Sequence, residues 1–320
     1  MQAIQIFQNG GPEVLQLVDL PDPIPTAGQA LIRIEASGVN FIDTYFREGR
    51  YPATLPYTLG QEATGTVLDS KDPSFAPGDR VAWCLLPGTY ATLAVAPVAR
   101  LVRIPDAITT QQAAAAILQG MTAHYLLHSA FPVQRGQKIL IHAGAGGTGL
   151  LVIQLAKRLG AHVITTVSTD EKAALARAAA ADDVILYTRE DLVERVKELT
   201  AGERLPVVYD SVGKSTFEQS LQCLHPRGTL VLFGGASGAV PPFDLIRLST
   251  MGSLYITRPT LKDYIATRAD LEARANEIFA LVADGSLSLR TAHTYPLADA
   301  AQAHRDLESR KTTGKLLLIP

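Results

Sequence analysis

The sequence predicts an α/β protein in which a doubly wound parallel sheet is inserted into a mainly β, barrel-like domain. Three observations predict it. Through about Arg103, short and partly alternating runs are broken by Pro and Gly clusters. From about Gln111, helices alternate with short, strongly apolar strands. After Pro259 a further helix is followed by two strands like those of the opening segment. Size and composition permit this plan. The 320 residues make about two domains at roughly 150 residues each, and 47% apolar against 19% charged residues supports a core and excludes a disordered chain.

In chain order, the opening segment offers strands at Ala3 to Phe7, Ala30 to Glu35, Gly65 to Leu68, Arg80 to Trp83 and Tyr90 to Val95. Breakers such as Pro21-Asp22-Pro23-Ile24-Pro25 separate them. The alanines at 113 to 116 and 178 to 181 read as helix. The next candidate strands are Lys138 to His142, His162 to Val167, Asp183 to Tyr187, Pro206 to Asp210, Thr229 to Phe233 and Ser253 to Thr257, with helical stretches between them. Near-continuous apolar strands alternating with helices argue for a parallel sheet covered on both faces. A helix at about Arg268 to Ala283 and strands at Thr291 to Tyr295 and Lys315 to Ile319 complete the chain. The economical topology returns the C-terminus to the first domain. It gives residues 1–118 and 260–320 to one domain and 119–259 to the inserted one, with a cleft between them where a ligand would sit.

Charge and cysteine content exclude several functions. Twenty-nine Lys and Arg against 31 Asp and Glu leave a net charge of −2, without the field that holds a polyanion, so no nucleic-acid partner is expected. The segment Met1 to Gln5 lacks a charged leader, and no apolar run approaches the roughly 18 residues of a membrane span. The expectation is a soluble cytoplasmic protein with no membrane partner. Cys84 and Cys223 are the two cysteines, too few for a disulfide framework or a multi-cysteine zinc site, and they read as buried free thiols.

The strongest motif is Gly144-Ala145-Gly146-Gly147-Thr148-Gly149, which satisfies G-x-G-x-x-G. It follows the apolar run Ile139-Leu140-Ile141 and opens a helix from about Leu150 to Leu159, with Gly160 as its stop. In that Rossmann-type setting Gly144 permits the tight turn, Gly146 lets the backbone approach a pyrophosphate, and Gly149 lets helix pack on strand. The helix N-terminus offers free N–H groups to the anion. The following strand decides which dinucleotide binds. An NAD enzyme places Asp or Glu about 20 residues past the motif, whereas Ser168, Thr169 and Lys172 suit a 2′-phosphate, so NADPH is expected. Asp170 offers two rival readings: it selects NAD, or it is a helix N-cap with Lys172 a solvated charge.

The chain resembles the zinc-independent, zeta-crystallin-like quinone oxidoreductases of the medium-chain dehydrogenase/reductase superfamily. The blocks that carry the resemblance span nearly the whole chain. They are residues 10–15, Gly38-Val39-Asn40-Phe41-Ile42-Asp43-Thr44-Tyr45, Gly60-Gln61-Glu62-Ala63-Thr64-Gly65, residues 77–81, the glycine turn, Val208 to Gly213, Gly252 to Pro259, and Glu308-Ser309-Arg310. The resemblance implies a GroES-like catalytic domain around the inserted nucleotide-binding domain, NADPH as cofactor, and quinones as substrates. Zinc-using relatives carry Cys where this chain has Asn40 and Gly-His-Glu where it has Gly60-Gln61-Glu62, so no metal is expected. A conjugated acceptor suits that loss, because a quinone or enone spreads the charge of an added hydride over its π system and needs no Lewis acid.

The resemblance also implies contacts. Asn40, Phe41, Ile42, Asp43, Thr44 and Tyr45 would face the nicotinamide half, with Thr122 nearby. Gly147 and Thr148 would meet the pyrophosphate. Ser168, Lys172, Tyr187 and Arg310 would surround the 2′-phosphate, and Ser211, Phe233, Gly234, Ser237 and Arg258 would line the cofactor cleft. The Ser168 to Lys172 stretch is more acidic than a phosphate site wants. Beside the nicotinamide, Tyr45 or Tyr51 could orient a carbonyl or donate a proton, although water could serve instead. The rival enzymes are an enoyl-thioester or alkenal reductase of the same fold and, more remotely, a D-2-hydroxyacid dehydrogenase with His293 as base. A non-catalytic role as an abundant or RNA-binding protein fits the charge poorly. Segment 252–257, as an apolar outer strand, predicts a homodimer paired edge to edge.

Overall fold

The computed structural model describes residues 1–320. The chain divides into two compact units, Met1–Met121 with Ile265–Pro320, and Thr122–Tyr264. The sequence pattern puts its boundaries at 119 and 259.

The first unit opens with β1 (Gln2–Ile6), β2 (Gln16–Asp19), β3 (Gln29–Val39), α1 (Phe41–Arg47), β4 (Tyr57–Thr58), β5 (Glu62–Ser70), β6 (Arg80–Cys84), β7 (Leu93–Pro97) and β8 (Val102–Arg103), followed by α2 (Thr110–Tyr125). β1 lies between β2 and β4 in a small antiparallel sheet. β3 organises the larger one. Residues 29–33 pair with β7, residues 30–37 pair with β5 on the other side, and Ser37–Val39 pair with Leu316–Leu318. β3 therefore runs beyond the expected Glu35. Ala36, Ser37 and Gly38 are weak strand formers, and pairing on both sides holds them extended. That extension delivers Asn40 to the start of α1.

The second unit contains β9 (Lys138–Ile141), α3 (Gly147–Arg158), β10 (His162–Val167), α4 (Asp170–Ala178), β11 (Asp183–Leu186), α5 (Leu192–Leu199), β12 (Leu205–Asp210), α6 (Phe217–Gln222), β13 (Leu224–Leu232), α7 (Ile246–Thr250), β14 (Tyr255–Thr257) and α8 (Leu261–Tyr264). The sheet order is β11-β10-β9-β12-β13-β14, every pair parallel. Leu140, Ile164, Val208 and Leu230, one from each of four adjacent strands, are fully buried together with Leu221 and Phe217 from α6. Order reverses between β9 and β12, the place where open α/β sheets bind ligands.

The alanine tract 178–181 corrects the sequence reading. α4 stops at Ala178, and Ala180 takes a left-handed conformation with φ of +75°, doing at a helix end what glycine usually does. Two further corrections concern strand length: β13 starts at Leu224, before the expected Thr229, and the outermost strand is only Tyr255–Thr257.

The chain returns to the first unit through α9 (Arg268–Ala283), β15 (Thr291–Pro296), α10 (Ala300–Glu308) and β16 (Lys315–Ile319). Thr267 caps α9 by accepting from the Asp270 N–H, and Leu271, Ala275, Ile278, Phe279 and Val282 form its buried stripe. β16 pairs parallel with β15 and antiparallel with β3. No helix is long and apolar enough to cross a membrane. Cys84 and Cys223 are buried free thiols, and burial pushes both up, Cys223 to about 12, so neither carries thiolate chemistry near neutral pH.

Candidate active site

The glycine turn sits at the carboxyl end of β9, beside the end of β12. Gly146 precedes α3, and no side chain caps the helix. The first-turn amides of Gly147, Thr148 and Gly149 have no acceptor within the helix, which leaves an open donor cluster at the positive end of the dipole. A Cβ on Gly149 would collide with the Ala143 carbonyl, and one on Gly144 with the Thr165 side chain. Glycine is therefore required at both positions for helix and strand to approach this closely. These features fit a dinucleotide pyrophosphate.

A buried polar chain fixes the turn. Asp210, fully buried at the end of β12, accepts from the Val212 and Gly213 amides at 2.7 and 3.0 Å and from Thr216 and Ser220 hydroxyls at 2.7 and 2.9 Å. Because Ser220 donates to Asp210, it accepts from His142 Nε2 at 3.0 Å. His142 Nδ1 then accepts from the Thr166 hydroxyl at 3.0 Å. Burial lowers the His142 pKa and keeps the ring neutral. The chain thus ties the ends of β9, β10 and β12 together directly behind Ala143, which holds a left-handed φ of +56°. The one sequence signal for this role of His142 and Asp210 is their polarity at the ends of apolar strands.

The remaining nucleotide-side residues distribute as follows. Ser168 and Lys172 are half-buried and Tyr187 is exposed. They gather at the end of β10, where the Tyr187 N–H donates to the Val167 carbonyl at 3.2 Å and the Lys172 N–H to Thr169 Oγ1 at 3.3 Å. Thr169, and not Asp170, is the N-cap of α4; Asp170 is its first residue. Thr122 is half-buried in α2. Ser211, Phe233 and Gly234 are half-buried and adjacent, with the Phe233 N–H on the Asp210 carbonyl at 2.8 Å. The Ser237 hydroxyl is committed to its own loop, donating to the Val212 carbonyl at 2.7 Å and accepting from the Ser215 N–H at 3.0 Å. Arg258 is exposed and donates to the Leu232 carbonyl at 3.1 Å. Arg310 belongs to the first unit, past the end of α10, with φ of +59°.

In the first unit, Asn40 is anchored by a buried ion pair. Lys315, 2% exposed, bonds Glu62, 0% exposed, and also donates to Asn40 Oδ1 at 2.8 Å. Asn40 Nδ2 donates to Glu62 at 2.8 Å, Glu62 accepts from the Leu118 N–H at 2.7 Å, and Gln119 donates to Asn40 at 3.3 Å. A side chain on Gly38 would strike Glu62 and the Lys315 ammonium, so glycine makes room for the pair. The two positions where zinc-using relatives keep Cys and His therefore present amides, and one of these is already bound by an ammonium. This is a poor donor set for zinc.

Asp43 is fully buried beneath α1, accepting from the Asn40 N–H at 2.8 Å and the Tyr90 hydroxyl at 2.9 Å. Of the 40–45 block, only Phe41 and Ile42 are half-exposed; Asn40, Asp43, Thr44 and Tyr45 are buried. Desolvation pushes the Asp43 pKa up to about 7 against the two hydrogen bonds that oppose it. Beside this block lies an aromatic group. Tyr45 and Tyr51 meet edge to face with centroids 5.5 Å apart, Phe46 stacks on Tyr57 at 5.5 Å, and the Arg50 guanidinium lies 4.1 Å from the Tyr45 centroid. Tyr51 is 37% exposed. Gln61 donates to the Tyr57 hydroxyl at 2.9 Å.

Comparison with known proteins agrees with this geometry. Residues 26–106 match the family described as alcohol dehydrogenase GroES-like domain, and residues 147–277 the family described as zinc-binding dehydrogenase. The chain is 47% identical to a quinone oxidoreductase of Pseudomonas aeruginosa over 99% of both chains. It is 39% identical to a 2-haloacrylate reductase of a Burkholderia species, covering 100% of this chain and 99% of that one. A crystal structure of Escherichia coli quinone oxidoreductase complexed with NADPH matches all of both chains with a TM-score of 0.98 at 45% identity.

Proposed function

The chain belongs to the zinc-independent quinone oxidoreductases of the medium-chain dehydrogenase/reductase superfamily, and on that premise we propose that it reduces quinones with NADPH by hydride transfer. The observation that carries the proposal is the donor set around Asn40: amides at Asn40 and Gln61 and an ammonium already on Asn40, which favour an acceptor needing no Lewis acid. NADPH, when bound, supplies the hydride from its nicotinamide. The open N-terminus of α3 holds the pyrophosphate, and Ser168, Lys172 and Tyr187 serve the 2′-phosphate. The half-exposed Phe41 and Ile42, on a segment fixed from behind by Lys315, Glu62 and the buried Asp43, give the nicotinamide a rigid wall. The aromatic group of Phe46 and Tyr51 offers faces for a flat acceptor. Tyr51, the exposed phenol, orients the acceptor oxygen and hands it a proton.

The same features accept an activated alkene, and the 2-haloacrylate reductase among the relatives supports that as the second reading. Following NADPH oxidation with 1,2-naphthoquinone, a 2-enoyl thioester and an alkenal, after dialysis against a chelator, separates them. The naphthoquinone is expected to react fastest, with undiminished rate after chelation. Faster turnover of either alkene would install the second reading.

We further infer a homodimer in the cytoplasm. β14 is one of the sheet's two outer strands, with Tyr255 60% exposed, and Leu245 and Ile246 nearby in sequence are 73% and 70% exposed. An open edge of this kind is stabilised by pairing with a second copy.

A further inference from the structure

We propose that Arg189 sets the cofactor preference by holding the Asp170 carboxylate away from the ribose, an inference that rests on the NADPH reading above. The acidic stretch after β10 is the weak point of that reading, because a carboxylate here accepts the 2′-hydroxyl of NADH and repels a 2′-phosphate. β11 runs beside β10 and resolves the conflict. Past its end, the Thr188 hydroxyl donates to the Ser168 carbonyl at 3.0 Å, and the Arg189 N–H closes a tight turn on the Leu186 carbonyl at 2.8 Å. The turn brings Arg189 back onto Asp170, with Nη2 at 2.8 Å from Oδ2 and Nη1 at 3.4 Å from Oδ1.

Both carboxylate oxygens are thereby engaged in a fork that a guanidinium, unlike an ammonium, can form. Asp170, Glu171 and Lys172 alone carry a net negative charge; Arg189 brings the group to neutrality at the N-terminus of α4, where the helix dipole then acts unopposed on an anion. The two side chains are each 64% exposed, so the pair contributes little to folding, and its consequence lies in the charge presented to the nucleotide.

The test is the ratio of kcat/KM for NADPH to that for NADH, with 1,2-naphthoquinone as acceptor, in the wild type, Arg189→Ala, Asp170→Asn and the double variant. Thermal unfolding confirms that each is folded. Arg189→Ala is expected to lower the ratio about tenfold through the KM for NADPH. Asp170→Asn should keep or raise it, and the double variant should return it to within about threefold of the wild type. The proposal is overturned by an unchanged ratio in Arg189→Ala, by a fall in Asp170→Asn, or by a double variant as impaired as Arg189→Ala. A wild type that prefers NADH contradicts the NADPH reading itself, before any variant is compared.

Discussion

Asp43 and His304 are joined through a single hydroxyl, that of Tyr90, which donates to Asp43 Oδ2 at 2.9 Å and accepts from His304 Nε2 at 3.1 Å. The direction of the chain is set at its far end. Arg47 can only donate, and it donates to His304 Nδ1 at 3.0 Å and to both oxygens of Glu308 at 3.0 and 2.7 Å. Arg47 and His304 are 1% and 0% exposed, so α1 is clamped to α10 through an interior polar chain. Burial raises the Asp43 pKa to about 7 and, with the Arg47 charge, lowers that of His304 to about 3.

These opposite shifts predict compensation in the pH dependence of stability. Asp43, raised from 3.8, contributes stability that is full below 3.8 and lost as pH rises to about 7. His304, lowered from 6.5, contributes stability that is full above 6.5 and lost as pH falls to about 3. Between pH 4 and 6.5 the two slopes, each about 1.4 kcal/mol per pH unit, oppose one another. Urea unfolding should show Asp43→Asn gaining stability with rising pH in that window and His304→Gln losing it, relative to the wild type. Parallel profiles in all three would contradict the assignment.

Removing one partner of the Lys315–Glu62 pair strands a buried charge. Lys315→Met is expected to cost about 3–5 kcal/mol in denaturant unfolding, and adding Glu62→Leu should recover part of the loss. A loss below about 1 kcal/mol would mean that the site is wet.

Gly149→Ala drives a methyl into the Ala143 carbonyl and displaces the start of α3. The KM for NADPH should rise at least about tenfold, measured by initial rates at saturating quinone, while kcat falls less. An unchanged KM would detach the glycine turn from the cofactor.

Tyr51→Phe removes the exposed phenol and keeps the ring. The expected result is a fall in kcat of about a hundredfold or more, the range of general acid catalysis. An unchanged kcat would leave protonation to water.

Light scattering should find a particle of twice the 34.2 kDa chain mass, and Tyr255→Lys on the edge strand should shift it toward the monomer. A wild-type particle of 34.2 kDa would contradict edge pairing.

What the sequence made legible were elements whose own pattern decides them. β10, α9 and β16 match their expected bounds because an apolar run or a helical stripe with a Thr cap needs no distant partner to be recognised. The glycine turn was legible for the same local reason. Features decided by tertiary contact were not. The left-handed Ala180 occupies a position in an alanine run that propensity assigns to helix. Nothing local to Asp43 announces that it caps α1 and accepts from the Tyr90 hydroxyl, a partner 47 residues along the chain. Lys315 lies far along the chain from Asn40 and Glu62, and only the pairing of β16 with β3 brings them together. Arg189 likewise meets Asp170 only because β11 pairs with β10.

NADPH-dependent quinone reduction is tested most directly by steady-state kcat/KM with 1,2-naphthoquinone, NADPH and NADH compared on the same preparation. The predicted result is efficient reduction with the higher kcat/KM for NADPH. A higher value for NADH, or no quinone reduction alongside turnover of an alkenal, would contradict it.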